Sequence, residues 1–465
     1  MRKIIIVLTV FTILLLTYVD SEAQRRASLY ESLLQRTDQA SSYVDHIIIP
    51  TGGEEVDFGI IFRLDYDLIS FLRLRSDMRP PRPEAEYYAP VRMGLEVFEG
   101  PAPTGRRSSS AISIFRDSWQ DTVWVDTFED TKSRFNHVEA MITGKLSPGE
   151  YHYELQLARG GSMREQSSNR RNFILPEQGN SEKADFILLS EYNRTADRLG
   201  AELLNYGNNV LYGQDYSILI RMPENDPEIE SEYSLELEKL SPGSGVSEPG
   251  THRFTAKIET DEIFYINAVN WERSSEGVSF NVSLANEGIA YALVNIPNQN
   301  FENSRFRIRL LKEDESEHSG QLVVNSQWLD MPVSLYNLDV AIEMMRFIVS
   351  SDELRRLQSG STSEKERKFR EFWEERDPSP DTEFNELMAE YYRRVDYAYN
   401  NFTSMMSPGY DTDQGRSYIL YGPPVNIERR LPTNAPTREI WTYPNRTLIF
   451  EATTGFGDFR LISES

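Results

Sequence analysis

Residues 407–424 read SPGYDTDQGRSYILYGPP. Pro408-Gly409 turns the chain, and Tyr410 supplies an aromatic anchor. Thr412 suits a helix N-cap, because its hydroxyl accepts from the free N–H groups of a first turn. Asp413 suits the positive end of the helix opened there, and Arg416 stands three residues on, in pairing range. Gly422 permits a left-handed stop, and Pro423-Pro424 prevents continuation. A competing reading makes residues 417–421 a strand, since Tyr418, Ile419 and Tyr421 favour β structure.

Upstream of this run the apolar residues recur at helical spacing. Leu338, Ile342, Met345 and Val349 share one face. Ser361 and Glu364 form a capping box for a helix that ends before Pro378, with Phe369, Phe372 and Trp373 as its apolar stripe. A third helix, residues 382–405, carries Phe384, Leu387, Met388, Tyr391, Tyr392, Val395, Tyr399 and Phe402 as a core face. Downstream, residues 439–443, 447–451 and 458–462 read as strands of a small sheet. Residues 337–465 are thus expected to form a small α+β domain.

Before residue 332 the period is two. Ile60, Phe62 and Leu64 alternate with Arg63 and Asp65. Val91, Met93, Leu95 and Val97 repeat the pattern, as do Tyr151, Tyr153, Leu155 and Leu157. Such alternation buries one sheet face and wets the other. Short strands between turn-rich breaks predict a β-sandwich over residues 41–178. The turn Leu146-Ser147-Pro148-Gly149 delivers Tyr151 into a strand, as in immunoglobulin-like modules with a buried corner tyrosine. Residues 177–183 read as a linker. Tyr233, Leu235 and Leu237, then Val278, Phe280 and Val282, then Phe306, Ile308 and Leu310 predict a second sandwich over residues 184–332. The expected fold is multidomain: two all-β immunoglobulin-like sandwiches, then the α+β domain. Trp119, Trp124, Trp271 and Trp328 are either buried between sheets or exposed contacts.

At the start, Arg2 and Lys3 precede an apolar run from Ile4 to Val19, and Ser21-Glu22-Ala23 follows as a small-x-small cleavage site. Residues 1–23 are therefore expected to be an export signal, and residues 24–40 a lead-in helix with Leu29, Leu33 and Leu34. No Cys follows the apolar run to carry a lipid, and the chain has none at all. Disulfides and thiolate chemistry are excluded. Hydrophobic content of 39% suffices for packed cores and argues against wholesale disorder. The net charge of −24 repels nucleic acid and anionic lipid. After cleavage no membrane span is expected.

The C-terminal region resembles the GWxTD domain family of exported bacterial proteins. The resemblance runs over about residues 337–461. It rests on Phe372-Trp373 with Arg376-Asp377-Pro378, on residues 390–395 (EYYRRV), and on residues 409–413 (GYDTD) with Gly415-Arg416. It continues in Tyr421-Gly422-Pro423-Pro424 and Trp441-Thr442-Tyr443. Tyr410 stands where the family has tryptophan, so an aromatic ring is kept and the indole N–H is not. The resemblance implies an envelope setting and no particular reaction.

Chemical motifs are sparse. Asp411-x-Asp413-x-Gly415 begins like a calcium loop, but Gly415 and Arg416 stand where a ligand and a glycine belong. The five histidines (His46, His137, His152, His252 and His318) lie before residue 332 without metal spacing. No nucleophile elbow or phosphate loop occurs. No cofactor or catalytic residue is assigned. The expected role is a non-enzymatic exported protein, periplasmic, outer-membrane-associated or extracellular, that binds an envelope protein or glycan. Tyr410, Asp413, Arg416, Tyr421 and Trp441 are its candidate binding residues. The alternative is a carboxylate-based glycan hydrolase with two placed acids, or another envelope-processing enzyme.

Overall fold

Period-two sequence becomes sheet from Ser42 onward, antiparallel except where residues 209–211 run parallel to residues 325–327, and helical spacing takes over at Leu338. The computed structural model describes Leu33 and residues 42–103, 112–128, 130–132, 136–159, 165–177, 183–223, 232–241, 243, 245, 247–273, 277–313, 317–329, 331–404, 407–431, 435–453 and 459–465. Residues 39–329 form one unit, and residues 330–465 with residues 1–38 form another. The expected export signal, most of the expected lead-in helix and residues 178–182 of the expected linker lie outside the described residues.

The first unit is mostly β-sheet. Strands β1 (Ser42–Ile49), β2 (Val56–Asp65), β3 (Leu72–Arg73), β4 (Tyr87–Glu99), β5 (Ser113–Val125), β6 (His137–Leu146), β7 (Gly149–Arg159), β8 (Glu165–Ser167) and β9 (Arg171–Leu175) make two antiparallel sheets. One has the order β1-β2-β6. The other runs β3-β4-β7-β8, with β5 also on β4 and β9 also on β7. Phe58, Ile60, Phe62 and Leu64 of β2 pack with Val91, Met93, Leu95 and Val97 of β4 in one apolar cluster. The Tyr151 hydroxyl donates to the carbonyl of Ser147 at 2.8 Å, pinning the β6–β7 turn.

Eleven more strands follow: β10 (Asp185–Arg194), β11 (Arg198–Leu203), β12 (Asn209–Leu211), β13 (Tyr216–Arg221), β14 (Tyr233–Lys239), β15 (Thr251–Ile258), β16 (Phe264–Arg273), β17 (Val278–Ala285), β18 (Ile289–Ile296), β19 (Arg305–Lys312) and β20 (His318–Gln327). Where the sequence predicts two open sheets, six of these strands close into a barrel, β10-β11-β17-β16-β18-β13. Register shifts at Leu189/Glu191 and Ile266/Ala268 bend β10 and β16, as bulges do, and so favour closure. The others form the sheet β12-β20-β19-β14-β15. On its polar face Glu236 and Glu238 lie opposite Arg309 and Arg307 and bind them.

One expectation fails at β2. The face that carries Arg63 is expected to be wet, yet Arg63 is only 9% exposed and Ile61 on the same face is buried at 1%. Ile49 and Ile61 join the cluster that contains Leu199, Phe280 and Tyr291 of the barrel. The Tyr291 hydroxyl also donates to the carbonyl of Pro50 at 3.3 Å. The tryptophans follow the buried reading in part. Trp119 is buried edge-on against Phe62, and Trp271 packs on Phe280. Trp124 and Trp328 are half-buried beside Tyr88 and Tyr212.

The second unit holds helices α1 (Leu338–Met344), α2 (Ser351–Gln358), α3 (Thr362–Glu374), α4 (Glu386–Phe402) and α5 (Asp413–Tyr421), then an antiparallel sheet. Its strands are β21 (Asn426–Arg430), β22 (Arg438–Tyr443), β23 (Arg446–Ala452) and β24 (Phe459–Glu464), in that order. The capping box of Ser361 and Glu364 starts α3 as its sequence predicts. Asn385 caps α4, and its amide donates to the carbonyl of Trp373 at 2.8 Å, joining the end of α3 to the start of α4. Tyr391 and Tyr392 of α4 donate to the carbonyls of Met344 and Ala341 at 2.5 and 2.8 Å, which satisfies acceptors at the end of α1. Leu33 is buried in the same helical core.

Candidate functional site

The run 407–424 folds as a turn, a cap and a helix. Thr403, at the end of α4, accepts from the Gly409 N–H at 2.8 Å through its hydroxyl. Thr412 is the N-cap of α5: its hydroxyl donates to the Gly409 carbonyl at 2.7 Å and accepts from the Gly415 N–H at 3.0 Å. Gly422 stops the helix at φ +76°. The competing strand reading of residues 417–421 is therefore set aside. Cap and stop outweigh the β preference of two tyrosines and an isoleucine.

The five candidate residues are not brought together as a binding face. Tyr410 is 1% exposed and sits in the helical core, stacked on Tyr399 at 5.8 Å with the Arg346 guanidinium 5.3 Å from its ring. Trp441 is also 1% exposed but belongs to a different cluster, against Phe402 and Phe450. Neither ring can rim an open surface, which corrects that part of the expectation. Asp413 does not pair with Arg416. Its carboxylate accepts from the Leu461 N–H at 2.9 Å and ties α5 to β24. Asp411 binds Arg346 at 2.7 Å, so the two carboxylates of the calcium-like run serve separate partners. Tyr421 is half-buried, with Arg446 3.9 Å over its ring and Glu464 3.4 Å from its hydroxyl. Arg416 alone is exposed, and its side chain meets no partner among the described residues.

Electrostatics around the motif favour neutral, structural groups. Burial pushes the Tyr418 and Tyr443 hydroxyls up to about 12, with neighbouring tyrosines adding to the shift. Both stay protonated at neutral pH, and Tyr443 donates to the Gly422 carbonyl at 3.1 Å. Gln414 donates to Glu439 at 2.7 Å, and the Trp441 indole reaches the same carboxylate at 3.4 Å.

The surface feature the sequence did not signal is β21. It pairs with β22 on one side, and no strand covers its other side among the described residues. Every residue of β21 is exposed. Val425 is 74% exposed, Ile427 54% and Leu431 75%. The ladder β21–β22 runs without a shift, whereas β23–β24 is bulged between Ile449 and Phe450. Of the usual guards of an open edge, β21 lacks a bulge, a lysine and a proline, but it is five residues long and carries the charges of Glu428, Arg429 and Arg430.

Residues 309–457 match the family model of the GWxTD domain. The C-terminal region carries a GWxTD domain. The GWxTD match begins inside β19 and covers β20, α1–α5 and β21–β23. No significant match was found among curated proteins. Among solved structures, the chain is similar to red sea bream transglutaminase at 9% identity, covering 66% of this chain and 34% of that one, with a TM-score of 0.17. It thus spans about a third of that enzyme's length. It is also similar to the C-terminal domain of the antigen I/II-family protein AspA of Streptococcus pyogenes, at 8% identity, 62% and 100% coverage and a TM-score of 0.16. The C-terminal domain of the Streptococcus agalactiae AgI/II polypeptide BspA gives 10% identity, 61% and 99% coverage and a TM-score of 0.14. At these scores the likenesses carry no functional information. Among the described residues no helix is long and apolar enough to cross a membrane, and no three His, Asp or Glu side chains converge as metal ligands.

Proposed function

We propose that this chain is a non-catalytic binding and scaffold protein of the bacterial envelope. Its GWxTD domain docks a protein partner along the open edge of β21. One observation carries this reading: an edge strand open on one side, with Ile427 exposed on it and Val425 and Leu431 exposed at its two ends. Such an edge gives a partner strand main-chain hydrogen bonds for affinity and alternate side chains for specificity. The motif residues fit a supporting role, since Thr412, Asp413 and Tyr410 are spent on cap, staple and core. The export signal read in residues 1–23 supports the envelope setting.

The test is capture from solubilised envelope with the mature chain and with its Ile427→Pro variant. Proline removes a strand N–H and distorts the edge without entering the core. A protein retained by the wild type and released by the variant supports the reading. Equal retention by both overturns the edge as the docking site. Turnover of an envelope glycan that disappears on neutralising one carboxylate overturns the non-catalytic role.

A further inference from the structure

We infer that β21 pairs with the β21 of a second copy, antiparallel and centred on Arg429. The inference rests on the reading of this edge as a docking edge and names its occupant.

The register follows from parity and charge. In an antiparallel strand, alternate residues turn their N–H and C=O to the same side. Two identical strands meeting at the same edge must therefore set outward residues opposite outward residues. Few registers satisfy this over β21. Centring on Glu428 puts two glutamates face to face. Centring on Arg430 puts Arg430 against itself and Arg429 against Leu431. Centring on Arg429 sets Ile427 opposite Leu431 and Glu428 opposite Arg430, each twice by symmetry. Only the last matches apolar with apolar and acid with base.

Existing contacts suit that register. Glu428 and Arg430 are already paired within the strand at 2.8 Å on one face, so the second copy closes a square of alternating charges. Arg429 on the axis has Glu439 of β22 at 3.4 Å, which offsets the meeting of two guanidiniums. The strand is locally basic, with two Arg and one Glu, in a chain of net charge −24. The edge is therefore a place where two acidic molecules repel little. Covering the edge also buries Ile427 and Leu431, both now open to water.

The test uses the mature chain in sedimentation equilibrium over a concentration series. The wild type dimerises. Glu428→Arg and Arg430→Glu each weaken the dimer by roughly tenfold or more, because like charges directly opposite are destabilising. The double variant restores it. Both side chains are exposed, so the fold is not at risk. The chain has no Cys, so a single introduced thiol reports geometry without ambiguity. Arg429→Cys gives a covalent dimer under mild oxidation, and Glu428→Cys does not. A wild type that stays monomeric, or a double variant no better than the singles, overturns the inference. If Ile427→Pro nevertheless releases a captured envelope protein, the edge docks a different partner and the proposed function stands. If it releases nothing, both readings fall.

Discussion

Gly415 lies against the carbonyl of Gly409 so closely that a Cβ there would stand 1.8 Å from that oxygen. A Cβ at Gly409 would in turn stand 1.9 Å from the carbonyl of Ala398 on α4. Neither glycine has a positive φ. Both are needed for closeness, since they let the turn press on α4 and α5 press on the turn.

Gly415→Ala therefore forces backbone apart, with no flexible side chain to yield. The GWxTD domain is expected to lose at least about 3 kcal/mol. Differential scanning calorimetry of the full chain reads this as a lower transition for that unit. Gly243→Ala is the contrast: its φ is +78°, but nothing stands within 4 Å of the added carbon. It is expected to cost only about 1 kcal/mol of backbone strain.

Tyr410→Ala and Trp441→Ala each remove a ring from a closed core and are expected to cost about 3–5 kcal/mol. Arg416→Ala touches nothing and is expected to stay within about 0.5 kcal/mol of wild type. Urea unfolding of the three variants checks the order. A stable, folded Tyr410→Ala protein that only loses a partner would return that ring to a binding role.

Much of this was legible in the sequence, for definable reasons. Thr412 and Gly422 bracket α5 by local chemistry, and local chemistry reads well from one chain. Ser361 with Glu364 and the Tyr391-Tyr392 pair are similar cases. What was not legible depends on parity and on distant neighbours. Residues 426–430 read NIERR, without alternation and with every side chain exposed, so nothing marks β21 as a strand. Ile61 sits among alternating neighbours on the face expected to be wet, and only the barrel cluster explains its burial. Trp441 shares a motif with Tyr410 yet fills another core, because the chain reverses into a sheet between them.

Glu302 sets an acid limit on the β unit. Hydrogen bonds from Arg253, then Lys239, outweigh partial burial and hold its carboxyl down at about 2 from the ordinary 4.5. A carboxyl lowered in the folded state stabilises above its unfolded pKa and loses that contribution as pH falls toward the folded one. The loss is expected between about pH 4.5 and about pH 2. Glu302→Gln should be less stable than wild type at pH 6, with the gap closing by pH 2 to 3, followed by thermal melts across that range. A gap that is constant with pH would show that the carboxylate's charge contributes nothing.

Gly59 of β2 and Trp271 of β16 test whether the two ends of the β unit are bound as one body. A Cβ at Gly59 would lie 3.3 Å from the indole ring, so the ring rests on bare backbone. Gly59→Leu cannot fit without moving that ring, and overpacking of this kind is expected to cost about 1–3 kcal/mol. Trp271→Ala opens a void beside the same spot and is expected to cost up to about 3 kcal/mol, below a fully buried tryptophan because the ring is only half-buried. The two residues touch, so their effects should not add. In the double variant the leucine occupies space the indole has left, and its cost is expected to fall below the sum by about 1 kcal/mol or more. Chemical denaturation of the four proteins closes the cycle. Strict additivity would mean that β2 and β16 do not meet there in solution.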